Sequence, residues 1–311
     1  MNKQEVMNVL EKLTGPIFER LAVDKRLIRV ARAVGLPLGG TLFVGGQTID
    51  ETFRTVRTLN AQGRAVTIDC LGEFIHSVQD AKAIADECID VLYRLEKEQV
   101  DGQISLKLTS VGVRLDPELA LMQMERILEV ALQLNRRVTI NMEEYEMTES
   151  ILKIFRVLQF SYPNLGVALQ ANLHRSRFDL DQLQPMTRIV KGAYTGSKEH
   201  YIEDKAMVDA NYLLLVKQNL MKGRYTQIAT HDDDMIEELL DFIRQSGISD
   251  ECFEFQMLQG MRPQRQKELV NSGYRVVVYV PHGVDWYTYL MRRLAERPAN
   301  IGFTLLSMLR L

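Results

Sequence analysis

The stretch Ala65-Val-Thr-Ile-Asp-Cys70 and the helical pattern behind it decide the fold, because the same pairing recurs along the chain. Most of its residues are apolar or β-branched, which is typical of a parallel strand that is buried on both faces. Ser77 follows, and apolar residues recur at helical spacing from Ala81 to Leu95, so Ser77 is predicted to cap an amphipathic helix. A strand followed by a helix is therefore the repeating unit.

Eight β-rich segments of this kind recur, and nearly all are followed by a helical pattern. They are Ala65–Cys70, Gln103–Thr109, Arg137–Met142, Leu165–Gln170, Met186–Lys191, Tyr225–Thr230, Cys252–Met257 and Tyr274–Val280. Eight strands that alternate with helices predict an α/β fold, a closed (β/α)8 TIM-type barrel. An open doubly wound sheet is the alternative, but no Gly-x-Gly-x-x-Gly follows the first strand.

Residues 1–60 lie before the first strand and are predicted to form an N-terminal helical extension that packs on the barrel. Thr48-Ile-Asp-Glu51 has the pattern of a capping box at the start of a helix. Residues 61–311 are assigned to the barrel, a fold that typically takes about 250 residues. Because no linker is visible, the chain of 311 residues is predicted to hold no second domain.

Composition and charge exclude several classes of protein. A net charge of −3 provides no basic surface for nucleic acid, and no apolar run is long enough to span a membrane. The first residues lack the apolar core of a signal peptide. Cys70, Cys88 and Cys252 have an odd count and no ligand-like spacing, so reduced thiols in a cytoplasmic protein without a bound metal are predicted.

The last helical run, from Trp286 to Arg297, has the pattern of an anion-binding site. Residues three and four apart share a helix face, and that face carries Tyr289, Arg292, Arg293 and Glu296. Adjacent guanidiniums offer planar, bidentate hydrogen bonding to a carboxylate, which lysines do not reproduce. A solvated basic face is the alternative. The position of this helix directly after the eighth strand favours the binding site.

Polar side chains are concentrated where the predicted strands end. In (β/α)8 barrels the catalytic groups lie at the carboxyl ends of the strands and in the loops that follow. The side chains at these positions include Asp69, Glu73, Lys107, Thr109, Asn141, Glu143, Gln170, Arg188, Lys191, Thr230, His231, Gln256, Tyr279 and His282. Stability alone does not explain so many polar groups on one face, so we predict an active site there.

At these residues the chain resembles the proline dehydrogenase family, flavin-dependent barrel enzymes, in its single-function bacterial form. The resemblance runs from about residue 40 to residue 300. Its motifs are Leu71-Gly-Glu73, Ile104-Ser-Leu-Lys-Leu-Thr109, Arg188-Ile-Val-Lys-Gly-Ala-Tyr194, Ala229-Thr-His231, Phe253-Glu-Phe-Gln256 with Gly260-Met261, and Tyr289-Leu-Met-Arg-Arg-Leu-Ala-Glu296. Each motif is weak by itself, but all of them occur in order at the predicted strand ends.

The resemblance implies a pocket for a cyclic amino acid. Arg292 and Arg293 are expected to bind the proline carboxylate, and Glu73 is expected to pair with Arg292 as a gate. The implied substrate-binding residues are Lys107, Leu258, Tyr279, Tyr289, Arg292, Arg293 and Glu296, and the implied catalytic residues are Lys107, Asn141, Arg188, Tyr279, Arg292 and Arg293. Such a pocket would enclose the apolar ring of the substrate between aromatic side chains and bind its carboxylate.

The resemblance also implies FAD over the mouth of the barrel, with Arg188 near flavin N5. The implied cofactor-binding residues are Gln170, Arg188, Val190, Lys191, Gly192, Ala193, Thr230 and His231. Hydride transfer from proline to N5 gives 1-pyrroline-5-carboxylate, and a quinone accepts the electrons. A lipid-soluble acceptor leaves two locations open, the cytoplasm alone or a peripheral contact at the inner face of the cell membrane.

Four positions depart from the family pattern: Asn141, Asn172, Thr195 and Asp232. Asn141 stands where the family has aspartate, and it is expected to remove a charge beside Lys107. We therefore expect Asn141→Asp to raise proline turnover. Asn141 also keeps two alternatives open, a flavoenzyme for another cyclic or secondary amino acid and a non-catalytic member that binds flavin or proline.

A metal-dependent hydrolase is a further alternative, with His231-Asp-Asp-Asp234 offered as ligands. The three aspartates are better explained as a cap with added negative charge at the start of a helix.

Overall fold

A computed structural model describes the backbone of residues 17–18, 20–34, 43–72, 75–184 and 186–296. It describes the side chains of these residues except 25, 31–34 and 293–296. Glu73 therefore lies outside the described residues, and Arg293 and Glu296 are described by their backbone alone.

The predicted closed barrel is confirmed. Eight parallel strands follow one another in chain order around the barrel, and the last pairs with the first. They are β1 (Ala65–Cys70), β2 (Gly102–Leu106), β3 (Val138–Ile140), β4 (Leu165–Gln170), β5 (Met186–Val190), β6 (Tyr225–Ala229), β7 (Phe253–Leu258) and β8 (Val276–His282).

Helices precede, connect and follow the strands. They are α1 (Lys25–Val34), α2 (Ile49–Asn60), α3 (Val78–Lys97), α4 (Pro117–Gln133), α5 (Tyr145–Leu158), α6 (Ser176–Asp181), α7 (Lys205–Met221), α8 (Asp233–Ser246), α9 (Pro263–Asn271) and α10 (Trp286–Glu296). No helix in the described part of the chain is long and apolar enough to cross a membrane.

The predicted helix starts agree with the observed caps. Thr48 and Glu51 form the capping box of α2, and the Ser77 hydroxyl accepts from a backbone N–H in the first turn of α3. Asp232 caps α8 as predicted, and Asp116 caps α4, whose first residue is a proline. Each cap satisfies a backbone donor that the helix itself leaves unpaired.

Four strands end earlier than predicted, β5 and β6 by one residue, β3 by two and β2 by three. β2 stops at Leu106 instead of Thr109, and a 3-10 turn over Leu108–Val111 follows. The carboxylate of Glu143 accepts from the Thr109 backbone N–H at 3.1 Å and from its hydroxyl at 2.6 Å. This contact removes Thr109 from the sheet ladder and draws the end of the shortened β3 towards β2.

The helical extension before β1 packs against α10. Ala22, Phe43 and Val44 form an apolar cluster with Leu71 after β1 and with Trp286, Tyr289, Leu290 and Met291 of α10. A second attachment lies on β8, where the Thr52 hydroxyl and His282 Nδ1 are 2.8 Å apart. The division of the chain at residue 60 stays a prediction.

The interior of the barrel is polar, in contrast to its apolar outer layer. Val66 and Ile68 of β1 are fully buried in the apolar core, whereas Thr67, between them, is reached by the Arg188 guanidinium at 3.5 Å from the other side of the barrel. Other side chains also bond between non-adjacent strands, namely Gln103 with Glu254 and Thr139 with Gln227. Hydrogen bonds across the barrel axis therefore fill its interior.

Glu254 is the centre of this interior near the amino-terminal ends of the strands. It is fully buried, and its carboxylate accepts five hydrogen bonds from side chains. The donors are Gln103 (2.9 Å), Gln256 (2.5 Å), Tyr225 (2.8 Å), Arg137 (3.3 Å) and Arg275 (3.3 Å). A buried carboxylate is tolerated only when such donors replace its hydration.

We expect Glu254→Ala to lower the stability of the fold, because it leaves the buried amides of Gln103 and Gln256 without their acceptor. A buried donor that loses its partner costs about 1–3 kcal/mol. Thermal unfolding followed by circular dichroism would measure the loss. Glu251→Ala removes an exposed carboxylate at the same end of the barrel and should leave the midpoint nearly unchanged.

Candidate active site

Four side chains from four strands meet inside the barrel near the carboxyl ends of the strands. Asn141 follows β3 and contacts Asp69 of β1, Arg188 of β5 and Tyr279 of β8. Three of the four, Asn141, Arg188 and Tyr279, belong to the predicted catalytic residues. The structure thus brings them together at the face where the sequence predicts the active site.

Arg188 is almost completely buried, with 3% of its surface exposed. Its Nη1 donates to Asn141 Oδ1 at 2.7 Å, and its guanidinium lies over the Tyr279 ring, 5.4 Å from the centroid. Loss of hydration lowers the pKa of Arg188, while Tyr279, Asp69 and Glu254 oppose that shift. Its Nε is buried and has no hydrogen-bond partner among the described residues. The guanidinium therefore retains one buried donor for an added group.

Asn141 lies between a carboxylate and a guanidinium. Its Nδ2 donates to Asp69 Oδ1 at 2.7 Å and to the Tyr279 hydroxyl at 3.1 Å, and its Oδ1 accepts from Arg188. Among the described residues, the side-chain hydrogen bonds of Asn141 are with these three and not with Lys107, beside which it was predicted to lie. Asp69 is therefore the anion that balances Arg188 here.

Tyr279 connects this cluster to the predicted substrate wall. It is the register partner of Leu258 on the neighbouring β7, and its carbonyl accepts from the Gln259 N–H at 2.9 Å. Loss of hydration raises the pKa of Tyr279 well above its usual value, and the nearby Asp69 and Tyr289 add to the rise. The Tyr279 hydroxyl is therefore neutral at physiological pH.

The predicted cationic residues of the pocket are described in part. Lys107 is partly buried at the start of the 3-10 turn, and no described side chain pairs with its ammonium group. Arg292 is partly buried on α10, one turn after the buried Tyr289. The pairing of Glu73 with Arg292 and the contacts of Arg293 and Glu296 stay predictions, because those side chains lie outside the described residues.

The predicted cofactor residues around β4 and β5 are also close together. Gln170 and Val190 are register partners at the ends of these strands. The Gln170 side chain is buried, and its Nε2 donates to the Glu143 carbonyl at 2.8 Å. The amide nitrogen of this predicted cofactor-binding residue is thus engaged with the backbone after β3.

Lys191 directs its ammonium group away from β5 and towards two helices. Its Nζ lies 2.7 Å from Asp209 of α7 and 3.1 Å from Asp232, the cap of α8. The Lys191 side chain is thus a link between helices, and only its backbone is available to line the site. Gly192 follows with φ +104°, a conformation that favours glycine.

His231 links the ends of β6 and β7. Its Nε2 accepts from the Leu258 N–H at 2.9 Å, so in the neutral ring the proton sits on Nδ1. The hydroxyl of the preceding Thr230 accepts from the Asp232 N–H at 3.2 Å. For the metal alternative, the described residues include no group of three or more histidine, cysteine, aspartate or glutamate side chains arranged to hold an ion.

Asp69 is a member of the cluster whose role was missed in the sequence analysis. It was noted as a polar residue at the end of β1, but no motif assigned it a role. The available signal was its position on the inward face of β1, two residues after Thr67, because alternate residues of a strand share a face. Which inward-facing residue it would meet depends on the stagger of the strands, which composition does not reveal.

Comparison with known proteins gives one consistent family. Residues 52–305 match the family described as proline dehydrogenase. Proline dehydrogenase 1 of Bacillus subtilis (strain 168) is 43% identical over 297 residues, which cover 94% of this chain and 98% of the relative. Proline dehydrogenase of Deinococcus radiodurans is 39% identical and covers 86% of this chain and 89% of the relative.

Solved structures resemble the chain in fold. Proline utilization A from Bdellovibrio bacteriovorus, inactivated by N-propargylglycine, aligns with a TM-score of 0.76 and 23% identity over 82% of this chain. A mutant of proline utilization A from Bradyrhizobium japonicum aligns with a TM-score of 0.71 over 86% of this chain. The chain spans 32% of each of those longer proteins, and at this identity the likeness bears on the fold alone.

We expect Gly192→Ala to disrupt the segment after β5. An added Cβ would lie 2.0 Å from Asn172 Oδ1, and the positive φ would be strained by any side chain. Asn172→Ala combined with Gly192→Ala removes the clash but not the strain, so it should recover part of the lost thermal stability. Equal instability of the single and the double variant would show that the clash with Asn172 is not the cause.

Proposed function

The chain belongs to the proline dehydrogenase family, and from that premise we propose that it oxidises L-proline to 1-pyrroline-5-carboxylate with bound FAD. The observation that carries the proposal is the buried Arg188, whose Nε is left without a partner at the end of the barrel where such active sites lie. A desolvated cation with a free donor is suited to an electron-rich group that gains negative charge.

The described residues fit a flavin by this criterion. An isoalloxazine ring presents acceptor atoms at its edge and becomes more electron-rich on reduction, which the buried Arg188 would favour. Gln170, the backbone of residues 190–193, Thr230 and His231 are the groups we propose to hold the cofactor. When bound, FAD supplies the acceptor for the two electrons and the hydride.

We propose that the cations on α10 and after β2 bind the carboxylate of the substrate. Arg292 and Arg293 would provide bidentate hydrogen bonds, and the ammonium group of Lys107 would add positive charge. Leu258, Tyr279 and Tyr289 are proposed to enclose the apolar part of the ring. This arrangement would orient the carbon beside the ring nitrogen, which is the main contribution that a flavoprotein makes to hydride transfer.

Tyr279 would act in this pocket as a neutral wall rather than as a base. Its raised pKa keeps the hydroxyl protonated, so it can donate a hydrogen bond and does not compete with the substrate carboxylate for the arginines. Electrons are proposed to pass to a quinone. A peripheral contact with the membrane, where a lipid-soluble acceptor resides, is the corresponding proposal for location.

The proposal is tested by mixing the purified holoenzyme with L-proline in the absence of oxygen. Loss of the visible absorption of oxidised flavin, with formation of 1-pyrroline-5-carboxylate, is the expected result. Reduction by another cyclic or secondary amino acid but not by proline would support the alternative substrate that Asn141 keeps open. Binding of proline without reduction would identify a non-catalytic member of the family.

We expect Arg292→Lys to lower kcat/KM for proline by roughly 10- to 100-fold, because a hydrogen bond to a charged group contributes about 1.5–3 kcal/mol and lysine loses the bidentate geometry. Steady-state assay with an artificial electron acceptor would measure the change. Arg177→Lys, the same substitution at an exposed position of α6, is the matched control and should leave kcat/KM unaltered. An equal effect of both substitutions would contradict the proposed role of Arg292.

A further inference from the structure

The amide of Asn141 is held in one orientation by its neighbours. Asp69 requires a donor at its carboxylate oxygen, 2.7 Å away, and Arg188 requires an acceptor at its Nη1, also 2.7 Å away. A neutral primary amide provides both, with its nitrogen facing Asp69 and its oxygen facing Arg188. Reversing the amide would place like groups against each other on both sides.

Asp69 in turn is surrounded by donors. Besides the Asn141 amide, the Ser105 hydroxyl donates to the same carboxylate oxygen at 3.3 Å. Asp69 is buried, with 2% of its surface exposed. The ionisable groups that face the cluster are Arg188, Tyr279 and Tyr289, with Glu254 lower in the barrel and Cys70 next to Asp69 in sequence. Asn141 is therefore in direct contact with one carboxylate, that of Asp69, and with one guanidinium, that of Arg188.

We infer that Asp69 is a positioning residue that acts through Asn141. Asn141 holds Arg188 and Tyr279 in place with an amide group, which does not ionise. The inference rests on the proposed function, because it concerns the residues assigned to that site. Asn141 fills the place of a protonated carboxyl group, which also donates from one atom and accepts at the other. Unlike that group, the amide keeps its proton across the physiological range.

The charges of the cluster support this reading. Asp69 and Arg188 balance each other, and Asn141 adds no charge. A carboxylate at position 141 would bring a second anionic oxygen to about the present 2.7 Å from Asp69. Two carboxylates at that distance do not both ionise, so the pair would retain one proton to a higher pH than an ordinary carboxyl group. Loss of that proton would push Asp69 and residue 141 apart.

The first test is Asn141→Asp, measured in two ways. In the holoenzyme we expect kcat/KM for proline, relative to that of the unaltered protein at the same pH, to fall by up to about tenfold per pH unit once the shared proton is lost. In the protein stripped of FAD we expect the thermal midpoint to fall further below that of the unaltered protein as pH rises. The sign follows because a raised pKa in the folded state stabilises below it and not above it.

The second test is the exchange Asp69→Asn with Asn141→Asp in one chain. The exchanged pair again has one carboxylate and one amide, with the carboxylate now against Arg188, so the added pH dependence of the thermal midpoint should disappear. Asp69→Asn alone leaves Arg188 without its counter-charge and should lower the midpoint at all pH values. A conventional structural role would not predict that the second substitution cancels the pH dependence of the first.

The outcomes separate this inference from the proposed function. An Asn141→Asp protein whose thermal midpoint follows the same pH dependence as the unaltered protein would overturn the inference, whatever the substrate. If that variant does not fold, the protein with both substitutions provides the test. A folded double variant whose thermal midpoint has no added pH dependence supports the inference, and a double variant that does not fold overturns it. Failure of proline to reduce the flavin of the unaltered holoenzyme would overturn the proposed function. The thermal midpoints would still test the inference.

The inference also revises the effect expected of Asn141→Asp. The sequence alone predicts a gain in proline turnover, because it places position 141 beside Lys107. The contact with Asp69 predicts a loss instead, at pH values where the shared proton is absent.

Discussion

The burial of one guanidinium inside a closed barrel is the constraint on which the carboxyl-terminal half of the barrel interior depends. Arg188 gives up nearly all contact with water, and a buried cation is stable only when protein groups replace its hydration and balance its charge. Asn141, Tyr279 and Thr67 supply the contacts, and Asp69 supplies the charge. Because these partners come from both sides of the barrel, one cation fixes strands that do not touch each other.

The other end of the barrel follows the same rule with the charges reversed. Glu254 is fully buried and receives five donors, among them Arg137 and Arg275. The interior thus holds a compensated anion near the start of the strands and a compensated cation near their ends. Glu254 and Asp69 both stabilise the charged form of Arg188, which links the two layers electrostatically.

Local patterns in the sequence were enough to predict the number of strands, the closed barrel and the caps of α2, α3 and α8. These features depend on residues a few positions apart, which sequence periodicity reports directly. The strand-end rule also indicated the end of the barrel where Asn141, Arg188 and Tyr279 meet. The early ends of β2 and β3 were not predicted, because the bond between Thr109 and Glu143 joins residues that are distant in sequence.

The contacts inside the site were the least predictable part. Position 141 was recognised as unusual, but its partner Asp69 is 72 residues away and meets it only because of the stagger of the closed sheet. The contacts of Gln170 and His231 were also not predicted. Both were assigned to the cofactor from the resemblance, and both also make backbone bonds across strand ends, to Glu143 and Leu258, that fix their side chains. Such bonds depend on tertiary packing.

The apolar cluster between the extension and α10 makes the last helix dependent on residues that precede the barrel in sequence. The eight strands close on themselves, but the helix that carries Arg292 rests on Ala22, Phe43 and Val44, which precede the barrel in sequence. Transplanting the barrel between proteins without those residues would separate the helix from its support. The natural module for recombination or design therefore begins upstream of the first strand.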